Sequence, residues 1–205
     1  KCPNEEVDDF IESIKDLEFL TYRTEEDDQT YRGAAESMYL ADDDLRSYFE
    51  TKADTRFIEI DDYRKLTGDR KEEQLLDFLR RLGVQQVPVF KEVQIDPWSR
   101  NDLPHPHYTQ YCKYSETIID GCKEIIGYIT HNSDKEKSVL LWDILVKIIQ
   151  TKISNKSYTY WNPFESRLRG VCSYFYRTSN AEGFDSSDAI LLKTAKWLVT
   201  KDGSF

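Results

Sequence analysis

The segment covering residues 135–153 limits the fold more than any other part of the sequence. Its apolar residues stand at helical spacing and occupy most of the circumference of the predicted helix: Val139, Leu140, Trp142, Ile144, Leu145, Ile148 and Ile149. A helix that is apolar on most sides must be covered by other elements on those sides. We therefore predict that this helix is central and that other elements pack around it.

Shorter segments with the apolar spacing of helices or of strands accompany this helix. Helical spacing predicts helices over residues 5–16, over 70–82 and near 113–131, and Asp42 and either Asp185 or Ser186 are suited to cap two more. Strand-like runs cover residues 17–22, 30–32, 56–60, 87–95, 169–177 and the stretch that begins at Trp197. This mixture predicts an α+β fold, helix-rich overall, in which helices pack with short antiparallel strands and hairpins.

Charge is distributed unevenly along the chain. Residues 1–80 hold 24 acidic and 12 basic side chains, whereas residues 81–205 hold 14 and 16. We predict an acidic α/β subdomain over 1–95, a Pro/His loop linker over 96–112, and a helical subdomain with C-terminal strands over 113–205. The alternative is one continuous domain. The acidic first part argues against broad binding to a nucleic-acid backbone, which needs clustered Lys and Arg.

Composition predicts a folded intracellular protein. Hydrophobic residues make up 39% of the chain and aromatic residues 13%, which is far too apolar for a disordered segment. No apolar run reaches the roughly 18 residues that a membrane-spanning helix needs, so we expect no membrane partner. The four cysteines are irregularly spaced, which predicts free thiols in a reducing cytoplasm rather than a disulfide framework.

One weak cluster has the residue types of a metal site. His105 and His107 precede Cys112 and Cys122, and zinc prefers such ligands when four of them converge. Only the histidines form a short pair, so the simpler interpretation is a proline-rich surface loop. We predict neither a metal nor another cofactor.

The sequence offers no catalytic constellation. It contains neither a Gly-x-Ser-x-Gly turn nor a glycine-rich phosphate loop, and Cys172 falls within a strand-like run. We therefore predict that the chain is not an enzyme and assign no catalytic residue.

Three stretches are candidates for interaction. Two are the loop Asp96–His107, which carries Trp98, His105 and His107, and the acidic turn Glu25–Asp28, because connecting loops often carry function. The third contains aromatic residues beside arginines, which could stack nucleobases but are more typical of a core or a protein interface. Its candidate residues are Tyr158, Tyr160, Trp161, Arg167 and Arg169.

The last nine residues predict an unfinished hairpin. Residues 197–200 form an apolar strand-like run, and Asp202-Gly203 is a strong turn signal before Phe205. A hairpin with one strand cannot pair its backbone groups, so we expect this chain to be a piece of a longer polypeptide.

Several segments, in this order, resemble the middle region of large sacsin-like proteins. They are residues 39–49, residues 74–84 with Pro88, residues 137–142, residues 174–177, and residues 196–198 with Asp202-Gly203. Proteins of that family carry an N-terminal ATPase module of the gyrase, chaperone and histidine-kinase type. The resemblance covers most of residues 17–205 and implies the scaffold downstream of that module, with no nucleotide-binding residue to carry over.

We therefore expect a non-catalytic scaffold or protein-interaction module of a large multidomain ATPase-linked protein. Its partners would be neighbouring modules of the same polypeptide or another protein. The alternative is a nucleic-acid-handling domain of a defence or repair protein that uses residues 158–169. A third hypothesis is a metal-dependent hydrolase built around His105 and His107.

Overall fold

The computed structural model describes residues 4–24, 27–67, 72–96, 98–103, 112–153, 168–174 and 177–199. The chain divides into two compact units, Lys1–Val87 and Pro88–Phe205, which are called unit 1 and unit 2 below. Both combine helices with a small sheet, so the predicted α+β class is confirmed.

Unit 1 alternates short strands with helices. In chain order its elements are α1 (Asn4–Ile14), β1 (Leu20–Thr24), β2 (Asp27–Gly33), β3 (Tyr39–Leu40), α2 (Asp43–Phe49), β4 (Phe57–Ile58), α3 (Ile60–Thr67) and α4 (Glu72–Arg81). The strand order is β2-β1-β4-β3, with antiparallel pairs except for the parallel pair β3/β4. Local signals fix the helix ends, since Asp42 Oδ1 accepts from Leu45 N at 2.7 Å and Gly83 takes a positive φ of 101° after α4.

Apolar faces of the helices and strands of unit 1 meet in one core. Its buried members are Ile11, Leu20, Ala35, Met38, Leu40, Ile58, Leu79, Leu82 and Val84. The helical spacing of Leu75, Leu79 and Leu82, read from the sequence, thus places α4 against the sheet residues of this core.

In the residues that the structure describes, unit 2 is a four-stranded antiparallel sheet with three helices. Its elements are β5 (Phe90–Gln94), β6 (Cys112–Ile119), α5 (Cys122–Asn132), α6 (Lys135–Ile153), β7 (Arg169–Tyr174), β8 (Arg177–Asp185) and α7 (Ser187–Thr194). The strand order is β5-β6-β7-β8, so the strand after Pro88 lies at the edge, as a proline at its start favours. Helices α5 and α6 connect β6 to β7, and α7 packs against β6 and α5.

Three sequence predictions need correction. The helix predicted near 113–131 is wrong over its first half, where β6 pairs with β5 and β7. The β-branched residues Thr117, Ile118 and Ile119 favour that strand, and Gly121, with φ 79°, separates it from α5. Strand β8 was missed, because the predicted strand ended at residue 177.

The third correction concerns the chain after α7, where residues 196–199 form no strand. Trp197 is instead buried, its indole N–H donates to Leu192 O at 3.0 Å, and Val199 N donates to Ser138 Oγ at 3.2 Å. The segment therefore binds to helices rather than to a neighbouring strand. The Asp202-Gly203 turn lies outside the described residues.

The division into units also differs from the predicted subdomain boundary at residue 95. Strand β5 pairs with β6 from Phe90↔Ile119 to Gln94↔Ser115, which places it in the sheet of unit 2. Part of the predicted linker is likewise ordered on unit 2, since Leu103 packs against Tyr114 and Phe184.

Candidate functional site

The described part of unit 2 contains an apolar cleft between α6 and α7. Its volume is about 360 Å³, which falls in the range of roughly 300–1,000 Å³ typical of ligand pockets. It is lined by Trp142, Leu145, Val146, Ile149, Leu168, Asp185, Ala189, Leu192, Lys193 and Trp197. We call it the α6–α7 cleft.

The α6 wall of the cleft is a stripe of apolar side chains at helical spacing. Residues 142, 145, 146 and 149 lie on one face, whereas Leu141, Ile144 and Ile148 are buried on another. Trp142 is 54% exposed and Val139, one turn earlier, is 52% exposed. The predicted covering of this helix is therefore confirmed for Ile144, Leu145 and Ile148, which are buried, whereas Val139 and Trp142 are left exposed by the described residues.

The α7 wall is held in place by polar contacts at the start of the helix. Ser186 caps it, with its Oγ accepting from Ala189 N at 3.2 Å. Glu116 of β6 accepts from Ser187 N and from Ser187 Oγ, each at 2.7 Å. Asp188 Oδ2 accepts from Ile119 N at 2.6 Å. The carboxylates of Glu116 and Asp188 thus hold the N-terminal end of α7, which carries the positive end of the helix dipole, against β6.

Trp197 lines the cleft beside Trp142. Its ring stacks on Trp142, with centroids 6.5 Å apart and an interplanar angle of 23°. Leu198, which follows it, is 56% exposed. Apolar surface therefore extends from the cleft onto both Val139 and Leu198, and contiguous exposed apolar surface is typical of binding sites.

The charged groups that line the cleft are Asp185 and Lys193, whose Oδ2 and Nζ atoms lie 2.8 Å apart. Both side chains are more than one-third exposed, so water screens their attraction. The lining contains no nucleophile beside a base, which nucleophilic catalysis requires. This chemistry suits the burial of an apolar group.

Beneath α7 lies a buried polar cluster that is satisfied from within. Arg100 donates to Glu116 Oε2 at 2.7 Å and to Asp185 O at 2.9 Å, and it forms a two-point ion pair with Asp102. Together with Ser187, these groups form a network that needs no ligand. Its evident role is to hold the 98–103 segment and α7 on the sheet.

Asp188 is the most perturbed carboxyl described in unit 2. Burial raises its pKa to about 6, and the charges of Glu116 and Glu124 add to the rise, against the hydrogen bond from Ile119 N. Burial also raises the pKa of the neighbouring Cys122 thiol well above its ordinary value. Cys122 is a free, fully buried thiol, and a raised pKa opposes the thiolate form that binds zinc.

The predicted site residues are described only in part. Trp98 is 75% exposed on a turn in which its backbone N–H donates to Asp96 Oδ1 at 3.0 Å. Arg169 is exposed in β7, and Cys112 begins β6. The others lie outside the described residues: His105, His107, Tyr158, Tyr160, Trp161 and Arg167.

The structure therefore does not test whether these predicted residues converge. Within the described ranges, no group of three or more His, Cys, Asp or Glu side chains is placed to hold a metal ion. In the same ranges, no helix combines the length and apolar character needed to cross a membrane.

Trp142 and Trp197 were not predicted as site residues. Each stands in an apolar run, and such runs usually indicate core. The one available signal was the apolar character of residues 135–153 around most of the helix. Such a helix has more apolar residues than a single buried face accommodates, so some of them can line a cleft.

Comparison with known proteins does not identify a family. No family model matches the sequence, and neither a curated protein nor a solved structure shows a significant match.

Proposed function

We propose that this chain is a non-catalytic protein-interaction module of a large multidomain intracellular protein that also carries an ATPase module. The α6–α7 cleft is the observation that carries the proposal. It combines an apolar lining, an exposed tryptophan and a fixed helical frame. Half-exposed tryptophans beside a pocket are typical of residues that dominate binding energy at protein interfaces.

The polar groups near the cleft support binding rather than chemistry. Glu116, Arg100 and Ser187 bind one another, and Asp185 pairs with Lys193. None of these contacts leaves a reactive group directed at the cleft. The resemblance of several segments to sacsin-like middle regions is in keeping with a scaffold that receives protein partners.

Selection from a displayed peptide library tests the interaction role. The wild-type chain is the bait, and a counter-selection on the Trp142→Ala variant removes peptides that bind outside the cleft. Because a central tryptophan contributes on the order of 2 kcal/mol or more at an interface, peptides specific for the cleft should bind the variant at least tenfold more weakly. If no enriched peptide depends on Trp142, the proposal is wrong.

Calorimetry with ATP and magnesium tests the non-catalytic role of the chain. We expect no binding heat at micromolar protein concentration, because the ATPase module would lie elsewhere in the full protein. A micromolar dissociation constant for ATP would contradict this assignment.

A further inference from the structure

Helices form both walls of the α6–α7 cleft, and this geometry favours a helix as the bound partner. Helix α6 contributes residues 142, 145, 146 and 149, and α7 contributes Ala189, Leu192 and Lys193. Both sets follow the i, i+3, i+4 spacing of a single helix face. Two such faces form a groove that suits a third helix, which would insert apolar anchors at the same spacing.

The dimensions of the apolar surface agree with a short helix. Val139 and Ile149 are ten residues apart on α6, so the surface extends about 15 Å along the axis. That length corresponds to about three turns of a guest helix. Ala189 is the smallest lining residue and leaves more room for an anchor than a larger side chain would.

The charges around the cleft indicate which charges the polar face of the bound helix should carry. Lys193 lines the cleft, and exposed Lys196 directly precedes Trp197. Lys135 is exposed seven residues before Trp142, which places it on the same face of α6 two turns away. Asp185 already pairs with Lys193, so Lys135 and Lys196 are the cations that this pair leaves. Asp143 is also exposed, but it lies about 100° around the helix from Trp142.

We infer that the α6–α7 cleft binds an acidic amphipathic helix of a protein partner, an inference that rests on the proposed function. Leu, Ile or Phe side chains at i, i+3, i+4 and i+7 of that helix would enter the cleft. Its Glu or Asp residues would flank the anchors and face Lys135, Lys193 and Lys196. The binding would weaken with added salt, because these lysines are exposed.

Three synthetic peptides test the inference. Each has about 16 residues and a side-chain staple, because unconstrained helices of this length are marginal in water. The first combines Leu anchors with Glu flanks, the second replaces Glu with Lys, and the third replaces the Leu anchors with Ser. Fluorescence anisotropy of the labelled peptides measures binding to the whole chain at low and at high salt.

We expect the acidic peptide to bind at least tenfold more tightly than its lysine twin at low salt, and the serine peptide not to bind. Trp142→Ala should weaken binding at least tenfold, whereas Tyr128→Ala, which removes a half-exposed aromatic side chain from α5, should not. The double variant Lys135→Glu/Lys196→Glu leaves the Asp185–Lys193 pair intact. It should reverse the preference for the acidic peptide.

Two results would overturn the inference. One is equal or tighter binding of the lysine peptide. The other is Trp142-dependent binding of dodecanoate with no binding of the acidic peptide, which would make the cleft a site for anionic amphiphiles. If a library peptide of different composition still requires Trp142, the acidic-helix inference fails while the proposed function stands.

Discussion

At the scale of single residues, Asp188 positions α7 at a cost in stability, because its carboxyl group is buried. It is 2% exposed and receives the backbone N–H of Ile119. Its pKa of about 6 in the folded chain exceeds the ordinary value of 3.8. The ionised carboxylate is therefore less stable in the fold than in the unfolded chain, and the protonated form is favoured.

The pH dependence of stability follows from that shift. The stabilisation linked to protonation of Asp188 is complete below about pH 4 and is lost as pH rises through about 6. Asp188→Asn removes this dependence, so its free energy of unfolding relative to wild type should rise between pH 4 and pH 8. The rise should be on the order of 2–3 kcal/mol. Urea unfolding across this range measures it, and a pH-independent difference would contradict the burial argument.

Glu116 is also a buried carboxylate, and its hydrogen-bond and ion-pair partners satisfy it. Glu116→Gln would leave Arg100 without one of its anionic partners in a largely buried position, so we expect a loss of about 3 kcal/mol of unfolding free energy. Glu92→Gln on β5 is the matched control, because Glu92 is exposed on the neighbouring strand. Equal stabilities of the two variants in urea would show that the Arg100–Glu116–Ser187 network contributes little.

At the scale of elements, two glycines test the packing of unit 2. A Cβ on Gly170 of β7 would lie 2.0 Å from the Phe184 ring of β8, whereas one on Gly127 of α5 would meet nothing within 4 Å. Gly170→Ala should therefore destabilise the chain by more than about 1 kcal/mol, since overpacking forces neighbours to shift. Gly127→Ala should stabilise it by about 0.5–1 kcal/mol.

Gly183→Ala on β8 is the control for the glycine pair. Its Cβ would contact Arg169 at 3.7 Å or more, which is an ordinary distance, so its effect on the melting temperature should be small. If Gly170→Ala were tolerated equally well, the position of the Phe184 ring over β7 would be wrong.

The elements that the sequence predicted correctly are those set by local chemistry. Asp42 caps α2 and Ser186 caps α7 because their side chains reach backbone N–H groups three residues ahead. Strand β6 was mistaken for a helix because its pairing with β5 and β7 is not visible in a short apolar pattern. Tertiary pairing there overrides local periodicity.

The candidate site was less predictable than the fold. Trp142 and Trp197 are 55 residues apart in the sequence, and their stacking depends on how α6 and α7 pack within unit 2. Nothing in either local sequence distinguishes a cleft residue from a core residue. The apolar residues around most of α6 predicted only that other elements would cover this helix.

At the scale of the whole molecule, the two units differ in charge as well as in fold. Residues 1–87 hold 24 acidic and 13 basic side chains, whereas residues 88–205 hold 14 and 15. The proposed binding cleft belongs to the nearly neutral unit, where apolar contact rather than long-range charge would dominate recognition. Lysines at the cleft margin would then favour those apolar partners that carry acidic residues beside their anchors.

The central proposal is that the α6–α7 cleft binds an acidic helix of a protein partner. The most direct measurement is a titration of the ¹⁵N-labelled chain with the acidic stapled peptide, followed by amide chemical shifts. The account predicts saturable shifts that centre on residues 139–149 and 189–199 and are absent from Trp142→Ala. Shifts that centre elsewhere in the chain, or none at millimolar peptide, would contradict it.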